Sequence, residues 1–159
     1  MKKLFFFVFV LTTVLTQKSF SQDTTQRHLL TKLLTHYYGI KDGLVAGNVN
    51  AVSSEAEEFI RTANGIDYKI VSEGNINTLL KDATSISEGK DIKKQREIFA
   101  NFSSNMAALA KSVNLSARPV YQAYCPMKKA GWLTDEKTIK NPYYGSSMLT
   151  CGSIVETIE

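Results

Sequence analysis

At 159 residues, 43% of them hydrophobic and 21% charged, the chain has enough apolar material for one domain with a core of its own. The formal charge of +4 rests largely on Lys2, Lys3 and Lys18; without the first 21 residues, which hold no acid, it falls to +1. So small a balance gives no warrant for nucleic-acid binding, which would need a clustered basic face.

The chain opens on Met1-Lys2-Lys3 and an apolar run from Leu4 to Leu15, a positive n-region and a hydrophobic stretch too short to span a bilayer comfortably. Ser19-Phe20-Ser21 then places small residues at a cleavage site before Gln22. Residues 1–21 are expected to be a secretory signal peptide, and residues 22–159 a single helical domain. The product would be periplasmic or secreted, with no membrane insertion after cleavage. Export puts Cys125 and Cys151 where disulfides persist.

From Gln26 to about Val45, Leu29, Leu30, Leu33, Leu34, Tyr37, Ile40 and Leu44 recur at spacings of three and four, which predicts an amphipathic helix. Thr24 or Thr25 would cap its start, and Gly47-Asn48 would end it. A second helix is predicted over about 50–64, with Val52, Ala56, Phe59, Ile60 and Ala63 inward and Gly65 as its C-terminal cap. Residues 66–71 are ambiguous between loop, short strand and frayed helix and read as a connector. A third helix, about 75–86, turns Ile76, Leu79, Leu80, Ala83 and Ile86 to one side. The fourth, about 92–113, has the clearest pattern (Ile92, Phe99, Phe102, Met106, Leu109, Val113), with Asp91 placed to cap it.

Four amphipathic helices with short polar connectors predict an all-α fold, an antiparallel up-down four-helix bundle over residues 22–114. A C-terminal irregular segment, 115–159, would pack on it. His28 and His36, eight positions apart, have no ligand spacing and read as exposed or structural.

Residues 121–152 concentrate the reactive side chains: both cysteines, Met127, Met148 and Trp132. Pro126 disfavours the α region for Cys125, so Cys125 should be extended, and in an extended chain Cys125 and Met127 point the same way. Met148 and Cys151 have the spacing of one helical turn, which Gly152 can end. Asn141-Pro142 reads as a tight turn or capped helix start that would fold the second sulfur pair over the first. Two thiols and two thioethers form a soft donor set, suited to Cu(I) or Ag(I). The same two cysteines in an exported chain are equally a candidate disulfide, closing a loop worth roughly 3–4 kcal/mol. Trp132 and Tyr143 are candidates for shielding the site, Trp132 also for a plain core plug. No catalytic triad, carboxylate pair, phosphate loop or zincin helix is present, so the chain is not expected to be an enzyme.

The run Cys125-Pro126-Met127, Trp132-Leu133, Ile139, Asn141-Pro142-Tyr143, Gly145, Met148-Leu149, Cys151-Gly152 resembles the C-terminal signature of an exported bacterial family, domain of unknown function 3347. The stretches KQREIFANFSSNMAALAKS and YYGIKDGLVAGNVNAVSSEA are similar to its helical part. The resemblance implies a role in copper or silver handling outside the cytoplasm, with a periplasmic adaptor subunit of a heavy-metal efflux system as the partner. Cys125-Pro126-Met127 is also similar to the opening of small heavy-metal-binding modules. Those continue with His-Pro where this chain has Lys128-Lys129, so only Cys125 and Met127 carry over from them.

Overall fold

The computed structural model describes the chain from residue 2 to residue 158, with side chains from Thr24 onward. The expected leader, residues 1–21, lies outside the described side chains. Four helices come first: α1 (Lys2–Ala46), α2 (Val49–Ala63), α3 (Glu73–Ser87) and α4 (Ile92–Ser112). Each packs on the next in sequence. Among the described residues, no helix is long and apolar enough to cross a membrane.

The apolar stripes do what their spacing predicts. Leu33, Tyr37, Ile40, Leu44, Val52, Ala56, Phe59, Ile76, Ala83, Ile86, Phe99, Phe102 and Met106 are all fully buried. Each large side chain so placed contributes about 1.5–3 kcal/mol of transfer free energy. Gly47, at φ +71°, ends α1 in the left-handed region. Asn48 then starts α2, its side chain accepting the Ala51 N–H at 3.1 Å. Asp91 caps α4 as expected, accepting the N–H groups of Lys93 and Lys94. Thr24 and Thr25 lie inside α1 and do not cap it.

The connector 66–71 is more ordered than its sequence suggests. Ile66 and Val71 are buried. The Gln26 side chain accepts the Asp67 N–H at 2.9 Å and donates to the Gly65 carbonyl, tying the connector to α1. The histidines are structural or exposed: His36 Nδ1 lies 2.8 Å from Glu55 of α2, and His28 is exposed.

Beyond α4 the all-α expectation is overturned. Val120–Cys125 (β1), Ala130–Thr134 (β2) and Ser153–Ile158 (β3) form an antiparallel sheet of order β2-β1-β3. The physical reason lies in the residues: VYQAYC and SIVETI are rich in aromatic and β-branched side chains, which suit a pleated surface.

The sheet stands where α1 and α4 make only slight direct contact, with β2 against α4. Tyr37 is the joint. Its ring stacks on Phe99 at 5.5 Å, and its hydroxyl meets Ser103 Oγ of α4 and accepts the Leu133 N–H of β2 at 2.9 Å.

Candidate functional site

Cys125 is the last residue of β1, extended as the following proline requires. The strand stops there. Pro126 to Lys129 turn back, the Lys129 N–H donating to the Cys125 carbonyl at 2.8 Å, with Lys129 at φ +57°. This corrects the expected convergence of Cys125 and Met127 along one extended strand. The Cys125 side chain enters the core at 0% exposure, while Met127 stands in solvent at 65%.

The second sulfur pair sits on a 3-10 turn, Gly145–Met148, followed by a further turn in which the Cys151 N–H donates to the Met148 carbonyl at 3.1 Å. The helical-turn relation predicted for Met148 and Cys151 is therefore present. Gly152, at φ +139°, leaves that turn and opens β3. Pairing of Ser153 with Tyr124 brings Cys151, just before β3, back over the end of β1. The two sulfurs meet at 3.0 Å, Cys125 buried and Cys151 partly exposed.

Asn141 holds this arrangement from beneath, fully buried. Its Oδ1 accepts the Tyr143 N–H at 2.8 Å, the capping role expected of it. Its Nδ2 donates to the Cys151 carbonyl at 2.7 Å, and its backbone N–H donates to the Leu149 carbonyl at 2.8 Å. The side-chain amide also reaches the Cys125 sulfur. Asn141 thus positions both cysteines, a role its sequence context (Asn before Pro) did not reveal.

Burial pushes the Cys125 thiol up, but hydrogen bonds from Cys151, the Lys128 N–H, the Asn141 amide and the Met127 N–H outweigh it. The net direction is down, below an ordinary cysteine. Cys151 moves the opposite way, raised by its hydrogen bond to Cys125, by burial and by the charge on Cys125. The first proton thus leaves the inner sulfur, which backbone N–H groups surround.

Trp132 and Tyr143 wall the inner side. Both are buried, their rings edge to face with centroids 6.0 Å apart. Trp132 lies so close to Gly152 that a Cβ there would meet its ring at 2.8 Å. The Tyr143 hydroxyl donates to the Gly131 carbonyl of β2, and burial raises its pKa. Trp132 is a core residue, packed against Tyr143 and close to Gly152, the residue after Cys151. Met148, at 41% exposure, Met127, Leu149 and Tyr124 are the exposed large apolar side chains of this segment.

The turn is docked on the helices by a close approach at Gly145 (φ +55°). A Cβ there would meet Arg96 Nη2 at 2.5 Å and the Val45 carbonyl at 2.9 Å. Arg96 Nη2 itself donates to the Leu44 carbonyl at 2.7 Å, at the C-terminal end of α1. Among the described residues, no three His, Cys, Asp or Glu side chains come together as a metal-binding group.

The structure defines a four-helix domain closed by a small antiparallel sheet, with a dithiol where β1 meets the 3-10 turn. Residues 33–118 match the family model described as "Protein of unknown function (DUF3347)", and the chain belongs to that family. The matched stretch covers the C-terminal turns of α1, then α2, α3 and α4, and ends just before β1; the cysteines, Met127 and Met148 lie beyond it. No curated protein and no solved structure matches the chain.

Proposed function

We propose that this is an exported, non-enzymatic carrier or buffer for a soft monovalent cation, Cu(I) or Ag(I), serving heavy-metal efflux. Cys125 and Cys151 are the central ligands, and Met127 and Met148 complete the coordination from the solvent side. The observation that carries this reading is the 3.0 Å meeting of the two sulfurs, with the inner one favoured as thiolate. A soft cation needs thiolate and thioether donors, and this segment carries both. The exposed thioethers suit a cargo that must be handed on, because a partner's ligand can approach them first. The adaptor subunit of an efflux system is the proposed recipient, and the periplasm or exterior the proposed compartment.

The same sulfur contact favours a second reading, a disulfide-stapled interaction module of the envelope without metal. Counting free thiols in protein isolated without reductant, then titrating Cu(I) against a competing chelator, separates the two. Sub-micromolar binding after mild reduction is expected of the carrier; its absence would leave the staple. Met127→Leu and Met148→Leu nearly conserve volume, so stability should change by less than about 1.5 kcal/mol. Under the carrier reading affinity falls in both variants. Under the staple reading neither property moves.

A further inference from the structure

The two cysteines differ in a way that coordination alone does not require. Cys125 is 0% exposed, within the same core cluster as Ala123, Trp132, Leu133 and Tyr143. Cys151 is partly exposed, and the residues before it, Met148, Leu149 and Thr150, are all exposed. A thiol reagent larger than a water molecule meets Cys151 first and has no path to Cys125. Yet Cys125 already touches the Cys151 sulfur, and a disulfide bond of about 2 Å needs only about one ångström of approach from 3.0 Å.

From this geometry we infer that the cargo-free dithiol is an ordered thiol–disulfide exchange site, with Cys151 the entry thiol and Cys125 the resolving thiol. The substrate class is a small or peptide disulfide, R–S–S–R. Cys151, as thiolate, attacks one sulfur of R–S–S–R. A Cys151–S–S–R bond forms, the R–S–S–R bond breaks, and the first R–S⁻ leaves with the proton Cys151 gave up. Cys125, as thiolate, then attacks Cys151 Sγ along the existing contact. The Cys125–Cys151 bond forms and the second R–S⁻ leaves, taking the Cys125 proton. The protein dithiol is oxidised by two electrons, and the disulfide is reduced to two thiols. The side-chain order follows from access: the sulfur that can be reached is not the one that is shielded, and the shielded one is in contact with the adduct as soon as it forms. Asn141, bonded to the Cys151 carbonyl, keeps the entry thiol over the resolving one through both steps.

This inference concerns the metal-free protein, so it stands or falls apart from the cation reading. The probe is oxidised glutathione on reduced, metal-free full chain, read by intact mass and peptide mapping. Wild type is expected to lose both thiols to an internal bond without accumulating an adduct. Cys125→Ser is expected to accumulate glutathione on Cys151, at least about tenfold faster than Cys151→Ser accumulates it on Cys125. That ratio should collapse towards one in denaturant. If either variant fails to fold by circular dichroism, limiting iodoacetamide on the wild type gives the same order, with Cys151 alkylated ahead of Cys125. Equal or inverted rates in the folded protein overturn the assignment of roles. A stable glutathione adduct on the wild type overturns the resolving step.

Discussion

Replacing Tyr37 by Phe tests the joint on which the sheet is mounted. The ring stays, so the stacking on Phe99 and the contacts with Phe102 and Tyr38 are kept and no cavity opens. What goes is one oxygen. The Leu133 N–H, on a residue with 0% exposure, loses its acceptor, and the Ser103 hydroxyl, 1% exposed, loses one of its partners. An orphaned buried polar group costs about 1–3 kcal/mol, and a hydroxyl that can rotate costs less than a fixed N–H. The expected loss is therefore about 2–4 kcal/mol, large against the 5–15 kcal/mol typical of a whole domain. Ser103→Ala leaves Tyr37 bonded to Leu133 and should cost about 1 kcal/mol. The double variant should lose less than the sum of the two, by about 0.5–2 kcal/mol, because Ser103 is no longer there to be orphaned. Urea unfolding near neutral pH gives all four corners of this cycle, with midpoints compared at unchanged slope. Burial raises the Tyr37 pKa, so the hydroxyl stays protonated across the usable range. A Tyr37→Phe protein within about 0.5 kcal/mol of wild type would refute the joint.

Gly152→Ala should cost roughly 2–5 kcal/mol in the same assay, from backbone strain at φ +139° and a Cβ placed 2.8 Å from the Trp132 ring and 3.0 Å from the Tyr124 carbonyl. Gly74→Ala, in α3 with open space around it, serves as the control and should be neutral or stabilising by up to about 1 kcal/mol. Thiolate absorbance of the reduced, metal-free protein should rise in two separated steps, one below the ordinary cysteine range and one above it. The stability linkage has opposite signs for the two groups. Cys125, depressed on folding, contributes stability that is present above the unfolded thiol pKa and lost as pH falls through the folded value. Cys151, raised, contributes below the unfolded pKa and loses it as pH rises through the folded value. A single step at the ordinary thiol pKa would contradict the hydrogen-bonded pair.

The helices were legible because their information is local and periodic. Val52, Ala56, Phe59 and Ala63 announce a face at every turn, and the burial of all four follows from spacing alone. The sheet was not legible for an equally physical reason. The β1–β2 hairpin turns through Pro126 to Lys129 with a lysine in the left-handed position, where Gly or Asn is the usual signal. β3 pairs with the central strand across a register shift at Gln122/Ala123 and comes after a long excursion, so nothing local marks it as β1's partner. The concentration of sulfur in 121–152 drew attention to chemistry in a stretch whose aromatic and β-branched residues were also building strands. That two cysteines 26 positions apart would meet was expected from the turn at Asn141-Pro142; the sheet that brings them together was not. Asn141 was legible as a turn residue from its place before Pro142, but its grip on both cysteines requires β3 to bring Cys151 back.

The division between the family-matched helices and the segment beyond them is therefore not a division into scaffold and appendage. The matched stretch, 33–118, contains groups that helix packing alone does not use. The Tyr37 hydroxyl and Ser103 point to β2. Arg96 binds the end of α1, where Gly145 comes close against its guanidinium, and Phe99 meets the Tyr143 ring at 5.8 Å. These contacts fall on the two halves of the site separately. Tyr37 and Ser103 hold the hairpin that ends in Cys125, while Arg96 and Phe99 hold the turn that leads to Cys151. The Ser153–Tyr124 pairing and Asn141 bring the two sulfurs together, while the elements that carry them are anchored separately on α1 and α4.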